Sequence, residues 1–381
     1  MRKKCRISTQ SSFFPLALLL VSQAALAVDS FIPTGALAVP RYGANASLLT
    51  NGTVLAAGGR GPSGATTSAE IYRPATGSFT STGNMLGAFI LRTSVTLPNG
   101  KVLIAGGIDD GSHATTAAEI YDPASGTFTA TGSLNIKRYA AASSVLPNGN
   151  VLVVSGIGGT GQTSLFSAEV YDPATGTFTG TGQLEFARAG ATATLLPNGK
   201  VLIAGGGGAT SVYASAEVYD PGTGTFHYSG NVMSTPRAGG SAILLDSGKV
   251  LIAGGYSDTA FAVSADIYDP TTDTFAATGS LSTGRIAASA ALLSDGKVLI
   301  AGGADPSNTD NSIASAELYD PVAGTFGAAA SMLAARQDAT ATVLPGGRIL
   351  IVGGNNFDGA PLSSAELYID NVIFRGGFDG P

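Results

Sequence analysis

Cysteine, histidine and tryptophan are nearly missing from this chain of 381 residues, which has one Cys, two His and no Trp. A disulfide framework needs paired cysteines, and zinc or triad chemistry needs His or Cys in number, so neither organises this protein. No metal site and no cofactor are expected. Charge is also scarce: 12% of residues are ionic, with a formal net charge of −6. Nucleic-acid binders present a basic face, so nucleic acid is a poor partner for this chain. No apolar run after residue 27 is long enough to span a bilayer, and no helical period appears there. What is plentiful is Gly, 53 residues, within a composition that is 44% apolar. That combination supplies many turns and a large core, and excludes a disordered or collagen-like chain.

The first 27 residues read as an address. Arg2, Lys3, Lys4 and Arg6 form a basic start, an apolar stretch runs from Phe13 to Val21, and Ala25-Leu26-Ala27 ends it with small residues. This predicts a signal peptide cleaved between Ala27 and Val28, and a secreted or periplasmic protein. Cleavage removes four basic residues and no acid, leaving 16 basic against 26 acidic residues, a net charge of −10. It also removes Cys5, the only Cys.

The remainder is one unit repeated seven times. Gly-Gly pairs end small apolar segments at Gly58-Gly59, Gly106-Gly107, Gly205-Gly206, Gly254-Gly255, Gly302-Gly303 and Gly353-Gly354, with Ser155-Gly156 in the third unit. After each comes an acid and then Tyr, as in Ala118-Glu119-Ile120-Tyr121-Asp122-Pro123, followed by a turn and a Phe such as Phe128. An Arg opens each unit: Arg41, Arg92, Arg138, Arg188, Arg237, Arg285 and Arg336. Each unit predicts four strands. Asn-Gly or related pairs mark the A–B hairpin and are read as two-residue turns. Strand B, as in Val201-Leu202-Ile203-Ala204, is apolar on both faces, and strands C and D carry the Tyr and the Phe. Four antiparallel strands per ~50 residues predict an all-β, seven-bladed β-propeller.

The Arg, the Gly-Gly and the Tyr-Asp-Pro with its following aromatic resemble the kelch repeat, in the variety seen in galactose-oxidase-like propellers. The resemblance covers all seven units, with Phe where kelch repeats usually carry a Trp. Unit seven lacks a fourth strand after Tyr368, and the segment around Phe31 aligns with the Phe128 strand. Residues 29–35 are therefore expected to close the ring as the outer strand of blade seven. The domain plan is a signal peptide (1–27), one propeller (28–370) and a short tail (371–381), expected as a monomer.

In such a meander the A–B and C–D turns share one face and the B–C and D–A loops the other. The B–C loops differ from blade to blade, so a glycan or protein ligand is expected on that face. The seven arginines have two readings: a ring attracting anionic ligands, or pairing with the acid before each Tyr (Glu70, Glu119, Glu169, Glu217, Asp266, Glu317, Glu366). Repeat-breaking candidates on the same face are Tyr42, Asp109, Asp110, His113, Tyr139, Tyr213, Tyr256, Asp310, Asp338 and Asn355.

Galactose-oxidase-like enzymes hold copper with two His, two Tyr and a Cys cross-linked to one Tyr. The resemblance does not extend to that site, because no Cys follows residue 27 and His113 and His227 belong to different blades. The run Gly156-Ile157-Gly158-Gly159-Thr160-Gly161 matches a dinucleotide fingerprint, but no helix is expected after it, so it reads as blade punctuation. The leading expectation is a non-catalytic binding module. The alternative, also from resemblance, is a carbohydrate-active propeller such as a sialic-acid mutarotase.

Overall fold

Strand B decides the architecture. In blade two, Val102–Ala105 is completely buried, with Val102 and Ile104 packed on blade one and Leu103 and Ala105 on blade three. A strand with two apolar faces is stable only between two other sheets, and burying one such side chain contributes about 1.5–3 kcal/mol. Repeating that demand seven times produces a ring. The computed structural model describes residues 29–305, 312–356 and 358–370. It contains seven antiparallel blades, each with four strands in the order A-B-C-D, and two further short strands joined to blade three; the seven A strands touch one another in a closed circle around the axis. Residues 1–27, expected as a signal peptide, the tail 371–381 and Asp310 lie outside the described residues.

The ring closes as the repeat alignment predicted. Ser30–Pro33 pairs antiparallel with Ala365–Ile369, placing Phe31 opposite Tyr368. In every blade the Tyr of strand C and the Phe of strand D stack at 4.8–5.0 Å between ring centroids, and only in blade seven does the Phe come from the other end of the chain. The Phe in place of Trp therefore serves as an apolar anchor with no donor to satisfy.

Two local expectations are corrected. In six blades the A–B connection is a β-turn followed by one left-handed Gly, not a two-residue turn with two positive φ angles; in blade seven Gly346 and Gly347 both have positive φ, 90° and 81°. In blade one Gly52 donates to the Leu49 carbonyl and has φ 80°, while Asn51 stays in an ordinary conformation. The Asn Oδ1 instead accepts the amide of Thr53 at 3.1 Å, a role repeated by Asn99, Asn148, Asn198 and Asp295. The second correction concerns blade three, where the segment expected as a loop is largely strand. Thr163–Asp172 and Thr177–Arg188 are the two longest strands, and Ile157–Gly158 pairs back on Ser164 and Thr163. The dinucleotide-like run is thus a hairpin.

Candidate functional site

The repeat arginines are structural. Arg41 donates to the Gly58 and Ser68 carbonyls and to Glu70 at 2.9 Å, and its own carbonyl accepts from Gly354 of the preceding blade. Glu70 also accepts the amides of Ala38 and Val39, in the linker that enters the blade. The same latch recurs as Arg138–Glu169, Arg188–Glu217, Arg237–Asp266, Arg285–Glu317 and Arg336–Glu366, at 2.6–2.9 Å, with side chains at most 5% exposed. Arg92 pairs with Glu119. Burial pulls each guanidinium below its ordinary pKa while the acid beside it opposes that shift. The anion-binding ring is therefore corrected: no repeat guanidinium faces solvent, because each is consumed in joining linker, strand B and strand C.

Blade two breaks the pattern in a way that residue type conceals. Six arginines donate to a carbonyl 17 residues ahead. Seventeen residues before Gly106 stands Phe89, so Arg92 is not the repeat arginine. It enters from three residues further on, with its guanidinium 5.5 Å from the Phe89 ring centroid.

The axial mouth on the B–C/D–A face is lined by backbone. Gly43, Leu91, Ala140, Gly190, Gly239, Ala287 and Asp338 occupy one equivalent position, two residues past the arginine site, and all have φ of 50–64°. Six hydrogen bonds of 2.9–3.4 Å pass around them, from Gly43 to Asp338, Ala287, Gly239, Gly190, Ala140 and Leu91. No bond joins Leu91 to Gly43 among the described residues, so the circle is interrupted at the blade that lacks the repeat arginine. Asp338 is the one ionisable member. Its carboxylate has no hydrogen-bond or ionic partner among the described residues, and burial pushes its pKa up.

Around this mouth the other candidates separate. Tyr42 and Tyr139 are half-buried and pair by backbone with Arg60 and Ile157. Tyr256 is exposed and donates to the Asp258 carbonyl at 3.3 Å. Asp110 is not free: it pairs with Arg60 at 2.9 Å and accepts the Ala65 amide, joining the loops of blades one and two. Asp109 accepts the His113 amide at 2.7 Å within its own loop, which holds its carboxyl below the usual range, and His113 points outward. Asn355, expected on the surface, is buried, because its backbone pairs with Gln337 and Ser312 donates to its carbonyl. Tyr213 lies away from these, over Arg188 and against Phe186 at 5.4 Å.

No family model matches the chain, and no curated protein matches it. Among solved structures it is similar to one described as a novel fungal alcohol oxidase with catalytic diversity among the AA5 family, in complex with copper. The identity is 22% over 90% of this chain and 76% of that one, with a TM-score of 0.72. The two share a fold. In this chain His113 lies on a loop of blade two and His227 on the outer strand of blade four beside Asp273, and no group of three His, Cys, Asp or Glu among the described residues is placed to hold a metal.

Proposed function

We propose that this protein is an exported, monomeric kelch-type propeller that binds a glycan or protein ligand on its B–C/D–A face without transforming it. One observation carries this reading. The seven arginines and seven acids that might have served acid–base chemistry are paired and buried inside the blades. Among the described residues the backbone ring at the axial mouth has one ionisable member, Asp338, with half-buried Tyr42 and Tyr139 and exposed Tyr256 nearby in the same loop layer. A lone carboxylate among tyrosines and backbone suits hydrogen-bonded recognition, whereas general acid–base catalysis needs a second positioned group. With the arginines buried, the earlier reason to favour anionic ligands falls away.

The test uses mature protein on a glycan array and in affinity capture from extracellular material. Retention of a glycan or a single protein, weakened at least tenfold by the combined Asp338→Asn and Tyr139→Ala changes, supports the reading. Retention of nothing, or binding indifferent to those changes and to every other change on this face, overturns it.

A further inference from the structure

The cross-strand partner of each blade's acid sits on strand D, and its identity sets the space beside the seam with the preceding blade. The pairs are Glu70 with Ser81, Glu119 with Ala130, Glu217 with Tyr228, Asp266 with Ala277, Glu317 with Ala328 and Glu366 with Pro33. In blade three the partner of Glu169 is Gly180. A Cβ built there meets nothing within 4 Å. A cavity of about 400 Å³ opens at this place, between the linker residues Asn135 and Ile136 and strand D up to Gln183. One seam further on, Tyr228 and Phe186 stand at the positions equivalent to Gly180 and Ile136, in contact at 5.7 Å.

The lining of this groove defines what it can hold. Its one ionisable group, Glu169, already accepts from Arg138, the Ile136 amide, and both the amide and Nδ2 of Asn135. No free charge is offered. The side-chain amide of Gln183 and the Oδ1 of Asn135 have no partner among the described residues, and the Thr179 hydroxyl makes only a 3.4 Å contact with the Val170 carbonyl. Unpaired amide donors and acceptors beside a hydroxyl, over the apolar floor of Phe178, match a ligand dense in neutral hydroxyl groups. The volume lies within the range of ordinary small-ligand sites, ~300–1,000 Å³.

We infer that the groove between blades two and three is a subsite for a neutral saccharide unit. This rests on the binding reading above and adds a ligand class and a second place, on the blade seam. The decisive variant is Gly180→Tyr, which copies Tyr228 of blade four and so introduces a side chain this fold already carries at the equivalent position. Binding is measured on an array of neutral and acidic hexose oligosaccharides, with melting temperature as a check on folding. The expected result is binding of a neutral oligosaccharide, weakened at least tenfold by Gly180→Tyr and by Gln183→Ala, with melting within about 2 °C of the parent. Binding restricted to acidic sugars, capture of a peptide or protein alone, or neutral-sugar binding unchanged by both variants overturns the subsite. All three outcomes leave the binding-module reading standing, whereas absence of any ligand defeats both.

Discussion

Phe31 stacks on Tyr368 at 5.0 Å, so the first described strand completes the sheet formed by the last three. This contact is the clasp of the ring. Phe31→Ala should destabilise the protein by about 3–5 kcal/mol, the usual cost of removing a buried Phe. Urea unfolding checks it. The equivalent change at Phe128, inside an already continuous blade, should cost a similar amount but leave the ends of the chain protected from proteolysis. Phe31→Ala should instead expose the segment around Ser30 to cleavage. Equal proteolysis of the two variants would show that the clasp is not the point of closure.

The buried latches make a second prediction. Arg138→Met leaves the buried Glu169 carboxylate without its counter-ion, and breaking a buried pair costs about 3–5 kcal/mol. Adding Glu169→Gln should recover part of that loss, since the Gln carries no charge and its single oxygen keeps an acceptor for one of the two amides, Asn135 or Ile136, that the carboxylate served. Denaturant melts of the single and double variants measure the coupling. A single variant within 1 kcal/mol of the parent would mean that Arg138 is dispensable to the blade.

Asp338 predicts a pH dependence with a definite sign. Burial raises its folded pKa above the unfolded value, so the folded state holds the proton more tightly. Its contribution to stability is full below the ordinary carboxylate pKa, about 4, and is lost as pH rises through the folded value. Asp338→Asn should therefore match the parent in melting temperature near pH 3 and exceed it near pH 7, Asn being equally tolerant of the left-handed backbone at φ 52°. The reverse order at pH 7 would indicate that the carboxylate is stabilised by an interaction in the folded state.

Much of the fold was legible because a propeller writes its architecture repeatedly. The Tyr and Phe of each unit locate strands C and D, and the orphaned Tyr368 points to Phe31 as its partner. Counting by residue type failed where geometry depends on spacing. Arg92 looked like one more repeat arginine, yet the 17-residue interval to the strand-B end assigns that place to Phe89. Asn355 looked exposed because loops usually are, but its backbone is paired on both sides. The groove at Gly180 had no signal at all, since it arises from a missing side chain and becomes visible only once the register sets Gly180 opposite Glu169. Phe186, Tyr213 and Tyr228, far apart in the chain, meet only through the seam between blades three and four.

The central claim is that this propeller binds without catalysing, and anomer exchange tests it most directly. Sialic acid and the neutral oligosaccharide retained by the protein should each be followed by NMR as freshly dissolved single anomers. The account predicts saturable perturbation of the retained sugar's signals, with both sugars equilibrating at the rate seen in buffer. Equilibration of either sugar more than tenfold faster with protein, and slowed by Asp338→Asn, would contradict it and establish a catalytic axial site.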